Sequence, residues 1–352
     1  MTADTRRVDG SRGDWETERV LANSATPLNQ AYDLAMLDLD GVVYIGGDAV
    51  PGAAEHLAQA RAAGMRCAFI TNNAARPPQA VADHLNALGV EATVEDVVTS
   101  AQAAARVLVE RLGTGASVVL LGAAGLETAL DEVGLVPVGV EDEASAVVSG
   151  YGPDVRWTEV MRAAVRIRDG LWWVASNTDM TIPTQFGLAP GHGVLVETLQ
   201  RFSGVDPVVA GKPARPLLDE TVRRVGGYRP LMVGDRLDTD IEGASNAGID
   251  SLLVLTGVTG LLELVSARPH ERPSYVAADL GALQETQIAP ALDGDDRVLG
   301  GWRGSVVDGR AQVTGAGSVG DWWRVVAETA WGWLDANRTP VDTSALQEPA
   351  PT

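Results

Sequence analysis

The hydrophobic positions of this chain fall into short runs separated by stretches of helical period. The first run spans Tyr32 to Leu37, and residues 50–63 follow it with Pro51 near the start and Gly64 just past the end, the punctuation of a helix. Residues 67–71 read as a strand, 77–88 as a helix stopped by Gly89, and Ser100–Leu112 as a helix capped by Ser100 and ended by Gly113. The middle of the chain repeats the order independently, with strands at Ser117–Leu121, Ala146–Ser149 and 171–175 and helices at 126–133 and Trp157–Arg168. Then strands at 208–210, 231–233 and 251–255 alternate with helices at Pro216–Val225 and 241–247. These strands are almost wholly apolar, as in a parallel sheet covered on both faces.

The pattern predicts an α/β fold: a doubly wound, Rossmann-like parallel-sheet core with a smaller α/β domain inserted into it, and a small α+β C-terminal extension. The expected boundaries are a mobile, charged tail over 1–30, core over 31–113 and 206–280, the insertion over 114–205, and the extension over 281–352. Within the extension, 281–300 is polar and acidic, and 302–314 reads as two strands around the turn pair Asp308-Gly309. Helix Val319–Asn337 follows, with Trp322, Trp323, Val326, Ala327, Ala330, Trp331 and Leu334 at helical spacing, a stripe suited to packing on the hairpin, the body or a partner subunit. A homo-oligomer is compatible with that reading.

Charge narrows the partners. Of 352 residues, 27 are Lys or Arg and 47 Asp or Glu, a net charge of −20, so the basic surplus that a nucleic acid or an anionic membrane surface needs is missing. No run approaches the roughly 18 apolar residues of a membrane span, and the first 20 residues hold no apolar segment for secretion. Cys67 is the single cysteine and sits in a strand-like context, so the expectation is a reducing, cytoplasmic setting with an unreactive thiol.

Four features lie where strands end, the edge at which a doubly wound sheet binds ligands. They are Asp38-Leu39-Asp40-Gly41, Thr71-Asn72-Asn73, Gly211-Lys212-Pro213, and Gly234-Asp235-Arg236-Leu237-Asp238-Thr239-Asp240. Taken singly each is commonplace: an Asp-x-Asp pair is usually a solvated turn, and acids after a strand often only cap the next helix. Together, and each behind an apolar strand, they supply carboxylates for a hard divalent cation, a hydroxyl, and a cation for an anionic group.

These four segments resemble the motifs of the haloacid dehalogenase superfamily of phosphohydrolases. The Gly-Asp-Arg-Leu string at 234–237 and the Thr-Asp-Ile string at 239–241 are similar to its subfamily of 4-nitrophenyl, phosphoglycolate and glycerol-phosphate phosphatases, and the resemblance covers roughly 32–280. It implies that Asp38 is the nucleophile, forming an aspartyl-phosphate, and that Asp40 is the general acid and base. It implies further that Thr71, Asn72 and Lys212 bind the phosphoryl group, and that Asp38, the Asp40 carbonyl and Asp235 hold Mg²⁺ with Asp240 behind them. The insertion would be a cap over the site, and its Gly- and Pro-rich stretch from Ser176 to Gly193 makes Asn177 and His192 candidates for touching the leaving group. For His192, a turn residue between glycines is the competing reading. His56, His84 and His270 read as structural or solvated.

The expected substrate is a small phosphorylated metabolite of glycerol 3-phosphate or phosphoglycolate type; aryl and nucleotide monoesters are alternatives. A receiver-like phospho-accepting module shares the Asp, Thr, Lys and Mg²⁺ set but has no role for an acid at the position of Asp40. A dehalogenase lacks that acid, and phosphonate cleavage would want a lysine from the insertion, which has none.

Overall fold

A computed structural model describes residues 20–184 and 186–349. Its first layer is a six-stranded parallel sheet in the order Tyr275–Ala277, Asp250–Val254, Pro230–Gly234, Leu34–Leu37, Arg66–Thr71, Val97–Thr99. Alternate residues of these strands serve opposite faces. Ala35, Leu37, Cys67, Phe69, Leu231 and Val233 join helices Ala53–Ala62 and Pro78–Ala87 on one side. Leu34, Met36, Ala68, Ile70 and Met232 join helices Ser100–Leu112 and Pro216–Val225 on the other. That two-sided burial is why the strands carry no polar alternation. The chain leaves Leu34–Leu37 toward one edge, returns at Pro230–Gly234 and fills the other, so the order reverses between two neighbours.

A second parallel sheet has five strands, in the order Val208–Val209, Trp172–Ala175, Ala146–Ser149, Ser117–Leu121, Val136–Val138. Val118, Leu126, Leu130 and Val148 belong to the same apolar cluster as Met36 and Ile70, so the two sheets share a core. Val119, Leu121, Val147 and Trp173 bury the other face with helices Trp157–Arg168 and His192–Ser203. The strand before Lys212 was expected in the core at 206–280; Val208–Val209 instead pairs with Val174 and Ala175 of the second sheet.

The extension is larger than a hairpin. Residues Ala291–Asp293, Asp296–Leu299, Trp302–Val307 and Arg310–Gly315 form a four-stranded antiparallel sheet, turned at Asp308 and Gly309, both with positive φ. Helix Val319–Asn337 runs between this sheet and the core, with Trp322, Trp323 and Trp331 buried against Leu253, Leu264 and Val276. The Arg272 guanidinium, almost fully buried, reaches both carboxylate oxygens of Asp335 on this helix at 2.7 and 2.6 Å.

Of the expected tail, 1–19 lie outside the described residues, and the rest is docked rather than mobile. Leu21 is buried, its N–H meets Glu328 at 2.6 Å, and Leu28–Ala31 is a helical turn. The helix at Ser100 is capped by Thr99, whose hydroxyl accepts the Gln102 N–H; the Ser100 hydroxyl donates instead to the Asn72 carbonyl at 2.6 Å. Short pairings at 44–49 and 181–190, the edge strands Val97–Thr99, Val136–Val138 and Tyr275–Ala277, and the first two strands of the extension were not expected. Among the described residues no helix is long and apolar enough to cross a membrane.

Candidate active site

Asp38 and Asp235 follow directly on two neighbouring strands at the point where the strand order reverses, and Lys212 and Asp240 are brought to them from outside. The Lys212 ammonium, 2% exposed, donates to Asp38 Oδ1 and Asp240 Oδ1, both at 2.6 Å. Asp240 Oδ2 accepts the Arg236 N–H at 3.1 Å, so both its oxygens are committed. Asp235 Oδ2 accepts the Val258 N–H at 2.7 Å, while its buried Oδ1 has no partner. Oxygens of Asp38, Asp235 and Asp240 lie within 4.8 Å of one another.

One ammonium against three carboxylates leaves two negative charges, which a divalent cation would balance. Oxygen donors of this kind suit a hard cation, and the unpartnered Oδ1 of Asp235, a residue clustered with Asp38 and Asp240, is where the residues fit Mg²⁺. Without the ion, burial pushes Asp235 up to about 8, with Asp240 and Asp38 adding to the shift. Burial likewise raises Asp240, to about 6 against the pull of Lys212. Asp38 is raised by burial and by Asp40, with Lys212 opposing. Burial works against the charge of Lys212, but Asp240 and Asp38 outweigh it and hold the ammonium above its ordinary value. Gly41, at φ +85°, closes the turn below the acids, and a Cβ there would meet Asp235 Oδ2 at 2.4 Å.

Asp40 stands at the exposed mouth. The surrounding protein still withholds enough water to raise its carboxyl, while the charges of Arg76 and Lys212 pull it down. Arg76 lies outside the four motifs, and no signal in the sequence singled it out. Thr71 is buried and its Oγ1 accepts the Asn73 N–H at 3.0 Å, a bond that leaves its own hydrogen uncommitted. Arg236 is paired with Asp238 at 2.9 Å.

The other three candidates are tied to one another and to the Lys212 loop. Asn72 Nδ2 donates to the Lys212 carbonyl at 2.9 Å and to Asp179 Oδ1 at 3.0 Å, and its Oδ1 accepts the Lys212 N–H at 2.8 Å. With every side-chain group engaged, Asn72 is a clasp on the Lys212 loop. Asn177, buried, donates to the Asn72 carbonyl at 2.6 Å and accepts the Asp179 N–H at 3.1 Å. His192 is 3% exposed, with Nδ1 against the Asn177 carbonyl at 2.8 Å and its ring driven down to about 4 by burial. Both are buried and brace the clasp, while His192 Nε2 has no partner.

A doubly wound sheet with clustered carboxylates suited to a cation and a buried ammonium at its switch point defines an α/β enzyme acting on an anionic group. More particularly, the chain belongs to the haloacid dehalogenase-like hydrolases. The family model of that description matches residues 35–136, and a HAD-hydrolase-like model matches 209–283. A D-glycerol 3-phosphate phosphatase of Mycobacterium tuberculosis is 44% identical over 293 residues, 83% of this chain and 81% of the relative. An acid sugar phosphatase of Staphylococcus aureus is 34% identical over 71% of this chain and 95% of its own length. Among solved structures, a glycerol phosphate phosphatase from M. tuberculosis in complex with magnesium has a TM-score of 0.79 at 42% identity, covering 87% of this chain and 92% of that one. A 4-nitrophenylphosphatase from Thermotoga maritima has a TM-score of 0.68 at 30% identity, covering 73% of this chain and 98% of that one.

Proposed function

We propose that this chain is a Mg²⁺-dependent phosphatase that hydrolyses small phosphate monoesters, glycerol phosphate first among them, through an aspartyl-phosphate on Asp38. The carrying observation is the Lys212 ammonium set 2.6 Å from both Asp38 and Asp240, beside the orphaned Asp235 oxygen. The substrate follows from the likeness to a glycerol phosphate phosphatase over most of both chains.

In this reading Asp38 attacks phosphorus along the line of the leaving oxygen. The Asp38 oxygen-to-phosphorus bond forms, the ester bond breaks, and Asp40 passes its proton to the leaving alkoxide. Asp40 then takes a proton from water as that water attacks phosphorus and the Asp38 oxygen-to-phosphorus bond breaks, releasing inorganic phosphate, the Asp38 carboxylate and a protonated Asp40. The raised Asp40 carboxyl suits the first half of that cycle. Lys212 offsets charge on the phosphoryl oxygens and keeps Asp38 aimed, and Asp240 holds Lys212. Thr71 donates to a phosphoryl oxygen. Asp38, the Asp40 carbonyl and Asp235 would hold Mg²⁺, which when bound supplies positive charge for the phosphoryl oxygens.

The same reading puts the enzyme in the cytoplasm, where the lone buried thiol of Cys67 needs no partner. Release of inorganic phosphate from a panel of monoesters, with glycerol, glycolate, aryl, sugar and nucleotide leaving groups, tests the substrate. Asp38→Asn should abolish release on every member while the protein stays folded; more than a trace of activity would refute the nucleophile. A panel on which aryl or nucleotide esters far outrun glycerol phosphate would overturn the substrate.

A further inference from the structure

The second oxygen of Asp235 is governed by a segment that carries no motif. Residues 256–260 lie directly against the acids: Val258 donates its N–H to Asp235 Oδ2 at 2.7 Å, Thr259 its N–H to the Asp235 carbonyl at 3.1 Å, and the Thr256 hydroxyl bonds the Gly41 carbonyl at 2.5 Å. At Gly257 a Cβ would meet Asp235 Oδ2 at 2.0 Å, so the backbone is pressed onto the carboxylate. Where this loop sits therefore decides which way the free oxygen points.

The loop runs straight into helix Leu261–Val265, and the far end of that helix is held by the extension. Trp331 Nε1 donates to the Leu264 carbonyl at 2.8 Å, in a buried contact. The opposite flank is held as well, since Leu237 and Ile241 of the Asp235–Asp240 loop lie in the apolar cluster of Trp322, Trp323 and Trp331. The Arg272–Asp335 pair and the Arg324 Nε bond to the Val276 carbonyl at 3.2 Å keep helix Val319–Asn337 in one place.

We propose that Trp331 is a positioning residue for the divalent-cation site: by anchoring Leu264 it fixes the loop at 256–260, whose Val258 N–H turns Asp235 so that its free oxygen faces Asp38. The proposal rests on Asp235 being a ligand of the ion. Groups behind a metal ligand act on affinity by fixing its orientation, and Mg²⁺ tolerates little deviation from its preferred geometry.

The test is Mg²⁺ binding to the full chain by titration calorimetry, with thermal unfolding in EDTA as control. Trp331→Phe keeps a ring and removes the donor; Mg²⁺ should bind roughly three- to tenfold more weakly, the range one lost hydrogen bond allows. At saturating Mg²⁺ its KM for substrate should stay at the wild-type value. Val326→Ala, a cavity in the same cluster that spares the Trp331 bond, should lower Tm without changing Mg²⁺ affinity. Wild-type Mg²⁺ affinity in Trp331→Phe, or equal weakening in Val326→Ala, would overturn the proposal. Should Trp331→Phe fail to accumulate, Trp331→Tyr removes the same indole donor and answers the same question. A wild type that takes up no Mg²⁺ would overturn the cation reading together with this inference, whereas uptake unaffected by Trp331 overturns this inference alone.

Discussion

Replacing Asn72 by alanine separates a clasp from a ligand contact. The side chain satisfies the N–H and the carbonyl of Lys212, both buried, and bonds Asp179 as well. A buried backbone group left unpaired costs about 1–3 kcal/mol, so the two groups of Lys212 put the loss at about 2–6 kcal/mol. Water entering the vacated space would bring that to about 3 kcal/mol, still a large fraction of a typical folding free energy of about 5–15 kcal/mol. The Lys212 loop would also be free to shift, and a misplacement of about 1 Å near reacting atoms is worth roughly a hundredfold in rate. Urea denaturation and steady-state kinetics on the same preparation read both effects: a lower midpoint and a lower kcat. Unchanged stability with only a raised KM would refute the clasp and return Asn72 to the phosphate. Asn72→Asp sharpens the comparison, since it sets a second carboxylate beside Asp179 and should be worse than alanine for stability at neutral pH.

Asp40→Asn should lose roughly 10²–10⁴ in rate on glycerol phosphate, and on 4-nitrophenyl phosphate, whose leaving group needs no proton, it should give a burst followed by slow turnover; equal losses without a burst would count against Asp40 as the acid. In EDTA the wild type should become less stable as pH rises from about 4, the unfolded carboxylate value, to about 8, the folded value of Asp235, because a raised carboxyl pKa stabilises only while the proton is held. Added Mg²⁺ should reverse that slope, and Asp235→Asn should remove the part between about pH 6 and 8, leaving below about 6 the share that Asp240 contributes; thermal unfolding across pH checks both, and an unchanged slope between about pH 6 and 8 in Asp235→Asn would refute the assignment. Asp335→Ala strands the buried Arg272 and should cost about 2 kcal/mol by urea denaturation, below the full value for a buried pair because Asp335 is 29% exposed; no loss would mean the clamp is ornamental.

The parallel strands were legible because both their faces are buried, which leaves runs such as Leu34–Leu37 and Pro230–Gly234 almost free of polar residues. The strands missed are of other kinds. Val97–Thr99, Val136–Val138 and Tyr275–Ala277 are edge strands three residues long, too short to carry a period. Ala291–Asp293 and Asp296–Leu299 are at best half-buried and acidic, and they become strands only by pairing toward Trp302–Val307. The acids, Thr71 and Lys212 could be found because each stands at a strand end with a chemical type that announces itself. Asn72, Asn177 and His192 could be found but not understood, since their partners are fixed by packing. Asn72 meets Lys212 across 140 positions and Asn177 meets Asn72 across 105, and neither spacing leaves a trace in local composition.

The pairing of Val208–Val209 with Trp172–Ala175 has a consequence for how this protein can be cut and recombined. The boundary that looks natural in the sequence, near residue 205, is not a seam in the structure. Splicing out 114–205 would leave that short strand without a neighbour and the Lys212 loop held from the Asn72 side alone, so such a deletion should yield a chain that folds poorly and hydrolyses phosphate esters weakly if at all. Exchanges between relatives should succeed only when everything from 114 through Lys212 travels as one block, carried by a host whose residue at position 72 can still grip it.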